Sequence, residues 1–81
     1  MKKVFEYVDL IARFHSLVIS QMTGTPDTFA YKLGISRSSL YNLITEIQSY
    51  GIDIEYSRER ETFRYTYPEK VEISIKILQK D

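Results

Sequence analysis

The residues with chemistry to offer gather in two stretches. The first runs Gly34-Ile35-Ser36-Arg37-Ser38-Ser39-Leu40-Tyr41-Asn42-Leu43-Ile44 and continues to Gln48. At helical spacing Leu40, Leu43, Ile44 and Ile47 share one face, while Arg37, Ser38, Tyr41, Asn42, Thr45 and Gln48 share the other. That outward set holds hydroxyls, a guanidinium, a phenol and amides, which is equipment for recognition. The second stretch is the charged run Arg58-Glu59-Arg60-Glu61, followed by Arg64. Catalysis finds no such set. The chain has no Cys and one His, so most nucleophile–base pairs are missing. It has no glycine-rich phosphate loop. Glu59 and Glu61 fall on an expected turn, where water is hard to exclude. The sequence therefore predicts a protein that is not an enzyme, with no metal, cofactor or small-molecule ligand.

Five elements must position these residues. Val4, Phe5, Val8, Ile11, Ala12, His15, Val18, Ile19 and Met22 recur at helical spacing, with Leu10, Phe14 and Leu17 widening the stripe. A helix so apolar needs cover on more than one side. Its expected end is near Thr23-Gly24. Thr25-Pro26-Asp27 then starts a short helix over about 26–33: a capping hydroxyl, a proline suited to the first helical position and an acid at the positive end of the dipole. Phe29, Ala30 and Leu33 are its inward residues and Gly34 its stop. Ser36 caps a third helix over about 37–50, which Gly51 ends.

After Gly51 the period becomes two. Ile52, Ile54 and Tyr56 alternate with polar residues, as do Phe63, Tyr65 and Tyr67 beyond the 58–61 turn. This predicts a β-hairpin with one buried face, ended by Pro68. Val71, Ile73, Ile75 and Ile77 form a third alternating run, about 71–77. It either extends the domain's own sheet or offers an edge to a second chain. Tyr56, Tyr65 and Tyr67 read as sheet and core packing, and His15 as a packed residue of the first helix.

The whole chain has 81 residues, 43% of them hydrophobic, with 11 cations against 11 anions. That composition fits one small folded domain over 1–81 and excludes a disordered chain or a disulfide framework. No apolar stretch is long enough to span a bilayer. Met1-Lys2-Lys3 is basic, but Glu6, Asp9 and Arg13 interrupt the apolar run after it, so a signal peptide is not expected and the cytoplasm is.

Residues 26–47 follow helix-turn-helix grammar. Ala30 supplies a small residue where two short helices cross, Gly34 a tight turn, and Ile35 an inward anchor. The linked series from Gly34 to Ile44, then Glu46-Ile47 and Tyr50-Gly51-Ile52-Asp53-Ile54, resembles the winged helix-turn-helix domains of bacterial transcription regulators. The likeness is to biotin-operon repressors and similar small proteins, in which a G-V-S-R-T-T-V turn leads to the recognition helix. It covers roughly residues 8–67. It implies an α+β fold of three helices followed by a β-hairpin wing, with a helix-turn-helix at about 26–50 and a wing at about 52–67; the 71–77 run would add an extra C-terminal strand. It further implies sequence-specific binding of double-stranded DNA by a small transcriptional regulator, with the third helix in the major groove.

Carried over by position, the resemblance makes Ser36, Arg37, Ser38, Tyr41 and Asn42 DNA contacts, with Thr45 on the same face. Arg37 suits a guanine or a phosphate, and Asn42 carries the donor–acceptor pair that matches adenine. Ser38 and Tyr41 suit phosphates, and Tyr41 beside Asn42 also suits base-edge readout. On the wing, Arg58 and Arg60 are the candidates, with Arg64 behind them. Taken singly, each is equally at home on a solvated helix face or turn; as a set after this turn they favour DNA. A homodimer is expected, since one module of this size makes a modest interface. Two alternatives remain. The same fold can be a protein-interaction module docking through the hairpin or the C-terminal strand, which the zero net charge favours. It can also play an architectural role that bends the duplex.

Overall fold

The computed structural model describes residues 2–71, with side chains from residue 5 onward. Three helices precede a two-stranded antiparallel hairpin: α1 Lys2–Ile19, α2 Pro26–Leu33, α3 Arg37–Gln48, β1 Ile54–Ser57 and β2 Thr62–Tyr65. The chain is thus a small α+β domain. Local chemistry sets the helix ends. Thr25 Oγ1 accepts the Thr28 N–H at 3.3 Å, and Pro26 stands at the first turn of α2, where no hydrogen-bond donor is needed. At the other end Gly34 takes φ 71°, and the Ile35 N–H reaches back to the Ala30 carbonyl at 3.0 Å. That left-handed stop turns the chain sharply into α3. Ser36 Oγ then accepts the Ser39 N–H at 3.1 Å and caps α3.

The hairpin pairs Ile54 with Tyr65 and Tyr56 with Phe63. All four lie on the face turned to the helices, so the alternation read from the sequence becomes the register. Four residues, 58–61, make the loop, and Glu61 closes it at φ 51°.

The core is built from rings. Phe14 of α1 stacks on Phe29 of α2 with centroids 5.1 Å apart; Phe29 lies 5.6 Å from Phe63 of β2, and Phe63 lies 4.9 Å from Tyr56 of β1. Val18, Leu33, Leu40, Leu43 and Ile44 close around them. One aromatic chain thus ties four elements together, and such ring pairs add about 0.5–1.5 kcal/mol each beyond their area. At its edge the Tyr65 hydroxyl lies 2.9 Å from His15 Nδ1. Burial pushes the Tyr65 phenol up to about 12, so it remains a neutral hydrogen-bonding group.

Four features depart from expectation. First, α1 ends at Ile19, earlier than the apolar periodicity implies. Gln21 takes φ 56°, and the Met22 N–H bonds the Leu17 carbonyl at 2.9 Å, so an ordinary residue performs the left-handed stop. Gly24 serves a different need: a Cβ there would lie 2.8 Å from Thr28 Cγ2.

Second, Thr62 is buried although alternation places it outward. It belongs to a polar clasp with Thr23, which is also buried. Thr23 Oγ1 accepts the Phe63 N–H at 2.8 Å, Thr62 Oγ1 accepts the Thr23 N–H at 3.3 Å, and the two hydroxyls lie 3.1 Å apart. The α1–α2 connection is thereby pinned to β2.

Third, Tyr67 is exposed and outside the sheet, since β2 stops at Tyr65 and only the Thr66 N–H to Asp53 carbonyl bond continues the pairing. Fourth, the expected strand does not start at Val71. Residues 68–71 are helical, with Pro68 at the first position and Val71 buried in the core. The rest of the expected 71–77 strand lies outside the described residues.

Candidate nucleic-acid interface

α3 is anchored by Leu40, Leu43 and Ile44, all buried, with Ile47 partly buried beside them. Three apolar residues at spacings of 3 and 4 fix the helix's rotation, so Ser38, Asn42 and Thr45 form the crest of the opposite side. All three are exposed. The helix is also tied to the hairpin, since Gln48 Nε2 donates to the Ile54 carbonyl at 3.2 Å. Gln48, an outward residue by periodicity, therefore holds two elements together.

Arg37 and Tyr41 occupy one flank of the crest. The guanidinium lies 5.7 Å from the Tyr41 ring centroid, and its Nη1 is 3.3 Å from Asp27 Oδ1 in α2. The Tyr41 contact and then the Asp27 charge raise the Arg37 pKa further, so its charge is permanent. Both ends of the ion pair are exposed, so water screens it and it holds the guanidinium only weakly. Asp27 thus holds Arg37 loosely beside the helix start and can release it to a stronger anion. The sequence shows Asp27 as an acid at the positive end of the α2 dipole; its pairing with Arg37, ten positions later, needs the α2–α3 turn to become visible.

The other flank faces α1. There Tyr7, Leu10, Ile35, Ser39, Asn42, Leu43 and Glu46 line an open hollow of about 330 Å³. The Tyr7 hydroxyl donates to the Glu46 carboxylate across it, and this bond, followed by burial, raises the Tyr7 pKa. Glu46 is the acid nearest the crest on α3, one turn beyond Asn42. Tyr7 draws it toward α1 and neutral phenol chemistry satisfies it. Periodicity assigns Tyr7 no role, so sequence reasoning missed this contact.

At the helix start, Ser36 is an exposed cap whose hydroxyl also meets Ser39 Oγ at 3.0 Å. The structure therefore gathers Ser36, Arg37, Ser38, Tyr41, Asn42 and Thr45 on one exposed stretch of α3. Arg58 and Arg60 stand apart on the hairpin loop, exposed, with no ion pair among the described residues. Arg64 differs: its Nε lies 2.7 Å from Glu55 Oε2, its cross-strand neighbour, so it braces the hairpin.

Among the described residues no group of three or more His, Asp or Glu is placed to hold a metal ion, and no helix is long and apolar enough to cross a membrane. No family model, curated protein or solved structure matches the chain.

Proposed function

We propose that this chain is a sequence-specific double-stranded DNA-binding protein of the winged helix-turn-helix kind, acting as a small transcriptional regulator. One observation carries the reading. α3 follows α2 through a three-residue turn and presents a polar crest, with the cation Arg37 on its flank and no acid from Ser36 to Thr45. An α-helix of this kind fits the major groove of B-DNA. In this reading Asn42 hydrogen-bonds an adenine edge and Arg37 leaves Asp27 for a guanine or a phosphate. Ser36, Ser38, Tyr41 and Thr45 set the helix's register on the backbone, and Arg58 and Arg60 add phosphate contacts from the hairpin loop.

Selection from random duplexes tests this. The expected outcome is an enriched site, and Asn42→Ala should relax preference at one or two positions while costing about 1–3 kcal/mol. An Asn42→Ala protein that kept full affinity and the same site would remove the assignment. Absence of duplex binding at low salt would instead favour the second reading, a protein-interaction module. The neutral total charge is the observation behind that alternative.

A further inference from the structure

Glu46 borders the hollow between α1 and α3, and it stands four residues beyond Asn42. At that spacing two side chains are neighbours on one helix face, and an amide and a carboxylate there can pair. A carboxylate only accepts hydrogen bonds, and the Asn42 amide is a donor within its reach. Glu46 instead accepts the Tyr7 hydroxyl from α1. The raised pKa of Tyr7 keeps that hydroxyl protonated, and so a donor, at neutral pH. Other donors are poorly placed. Leu10, Ile35 and Leu43 bring no polar side chain to the hollow, and Ser39 lies two turns from Glu46, bonded to Ser36. Tyr50 comes past the end of α3 and is 80% exposed. Among the residues lining the hollow, Tyr7 and Asn42 are thus the two donors between which Glu46 chooses.

The choice matters because reading an adenine uses both halves of the Asn42 amide, its oxygen toward N6–H and its NH2 toward N7. A carboxylate that took the NH2 would remove the donor and set a negative charge beside N7. We infer that Tyr7 is a positioning residue of the DNA interface: by holding the Glu46 carboxylate toward α1, it leaves the Asn42 amide to a base. The inference rests on the DNA reading proposed above and adds to it that a residue of α1 sets the specificity of α3.

Tyr7→Phe, Glu46→Ala and the double variant, measured beside Asn42→Ala on the selected duplex and on one with the adenine replaced, test it. Tyr7→Phe keeps the ring and loses the donor. It should reduce the preference for adenine about twofold, the scale of one i, i+4 pair. The double variant should recover the preference, which a loosened contact between α1 and α3 would not allow. A second readout needs no DNA. The side-chain amide resonances of Asn42 should shift in Tyr7→Phe, and should coincide in Glu46→Ala and the double variant. Tyr7→Phe with full preference, where Asn42→Ala has lost it, overturns the inference and leaves the DNA reading standing. A loss that persists in the double variant does the same, as do Asn42 resonances indifferent to Tyr7→Phe. A wild type that binds no duplex removes the DNA reading, and this inference with it.

Discussion

Arg37 is the residue on which the proposed interface turns, and its environment sets its strength. The guanidinium sits between the Tyr41 ring and the Asp27 carboxylate, both near enough to compete with a phosphate. Because the pair is exposed, the competition is weak. Asp27→Asn removes it while keeping a hydrogen-bonding side chain in the first turn of α2. It should raise affinity for any duplex about two- to fivefold at low salt, the equivalent of a surface ion pair. The same change should lower stability by a few tenths of a kcal/mol through the lost dipole interaction. Fluorescence anisotropy with a random duplex, beside a thermal melt, separates the two effects. A fall in affinity would mean that Asp27 orients Arg37 for contact instead of restraining it.

Glu61 offers a second test at this scale. It is a non-glycine residue at φ 51°, a conformation that costs an L-residue about 1–2 kcal/mol. Glu61→Gly should therefore raise stability by up to about 1 kcal/mol, a shift of about 4–8 °C for a domain of this size. Gly34, at φ 71°, predicts the reverse. Gly34→Ala should lose about as much, although nothing lies within 4 Å of its would-be Cβ. A thermal melt of the two variants tests whether backbone conformation outweighs space at both sites.

At the scale of elements, what the sequence disclosed depended on the kind of signal. α2 was legible to the residue because Thr25, Pro26 and Gly34 punctuate it with specific backbone chemistry. The face of α3 was legible because Leu40, Leu43, Ile44 and Ile47 leave one solution for its rotation. The hairpin followed from alternation. The end of α1 was not legible, because Gln21 has no intrinsic preference for the left-handed region that its bond to the Val18 carbonyl and the Met22–Leu17 bond close around. Nor was the helical turn at 68–71, since Val71 fits an alternating pattern and a helical one equally.

The Thr23–Thr62 clasp was hidden for a related reason. Polar residues are read as exposed, yet these two replace a stretch of sheet pairing with side-chain hydrogen bonds. Thr23→Val would bury the Phe63 N–H without a partner and should cost about 1–3 kcal/mol. Against a total of roughly 4–12 kcal/mol for a chain of this length, that is a large share. Thr23→Ser keeps the hydroxyl and should lose less. Chemical denaturation measures both, and faster amide exchange at Phe63 in the valine variant would locate the loss. Equal costs for the two variants would assign the site's value to the methyl group instead.

For the whole molecule the decisive quantity is where charge sits. Eleven cations and eleven anions cancel, so no net charge draws the protein to DNA. The proposed contacts supply only Arg37, Arg58 and Arg60 per chain. Glu46, the acid closest to the crest of α3, is bound by Tyr7, and Arg64 is occupied by Glu55. Neutralising about three phosphates gives a slope of log K on log salt of roughly −2.7 per chain, since each released counterion contributes about −0.9. Between 50 and 200 mM salt that is a loss of about 40-fold. Strongly basic DNA-binding domains with six or more phosphate contacts lose about a thousandfold or more over the same range. The selected site, titrated at several salt concentrations, should show this shallow slope. Two chains binding as a pair would roughly double it. Arg58→Ala and Arg60→Ala should each reduce the slope by nearly one unit while leaving base preference unchanged. Loss of one unit with altered preference would mean that the hairpin loop reads bases. No change at either position would place the loop away from the duplex and leave α3 to act alone.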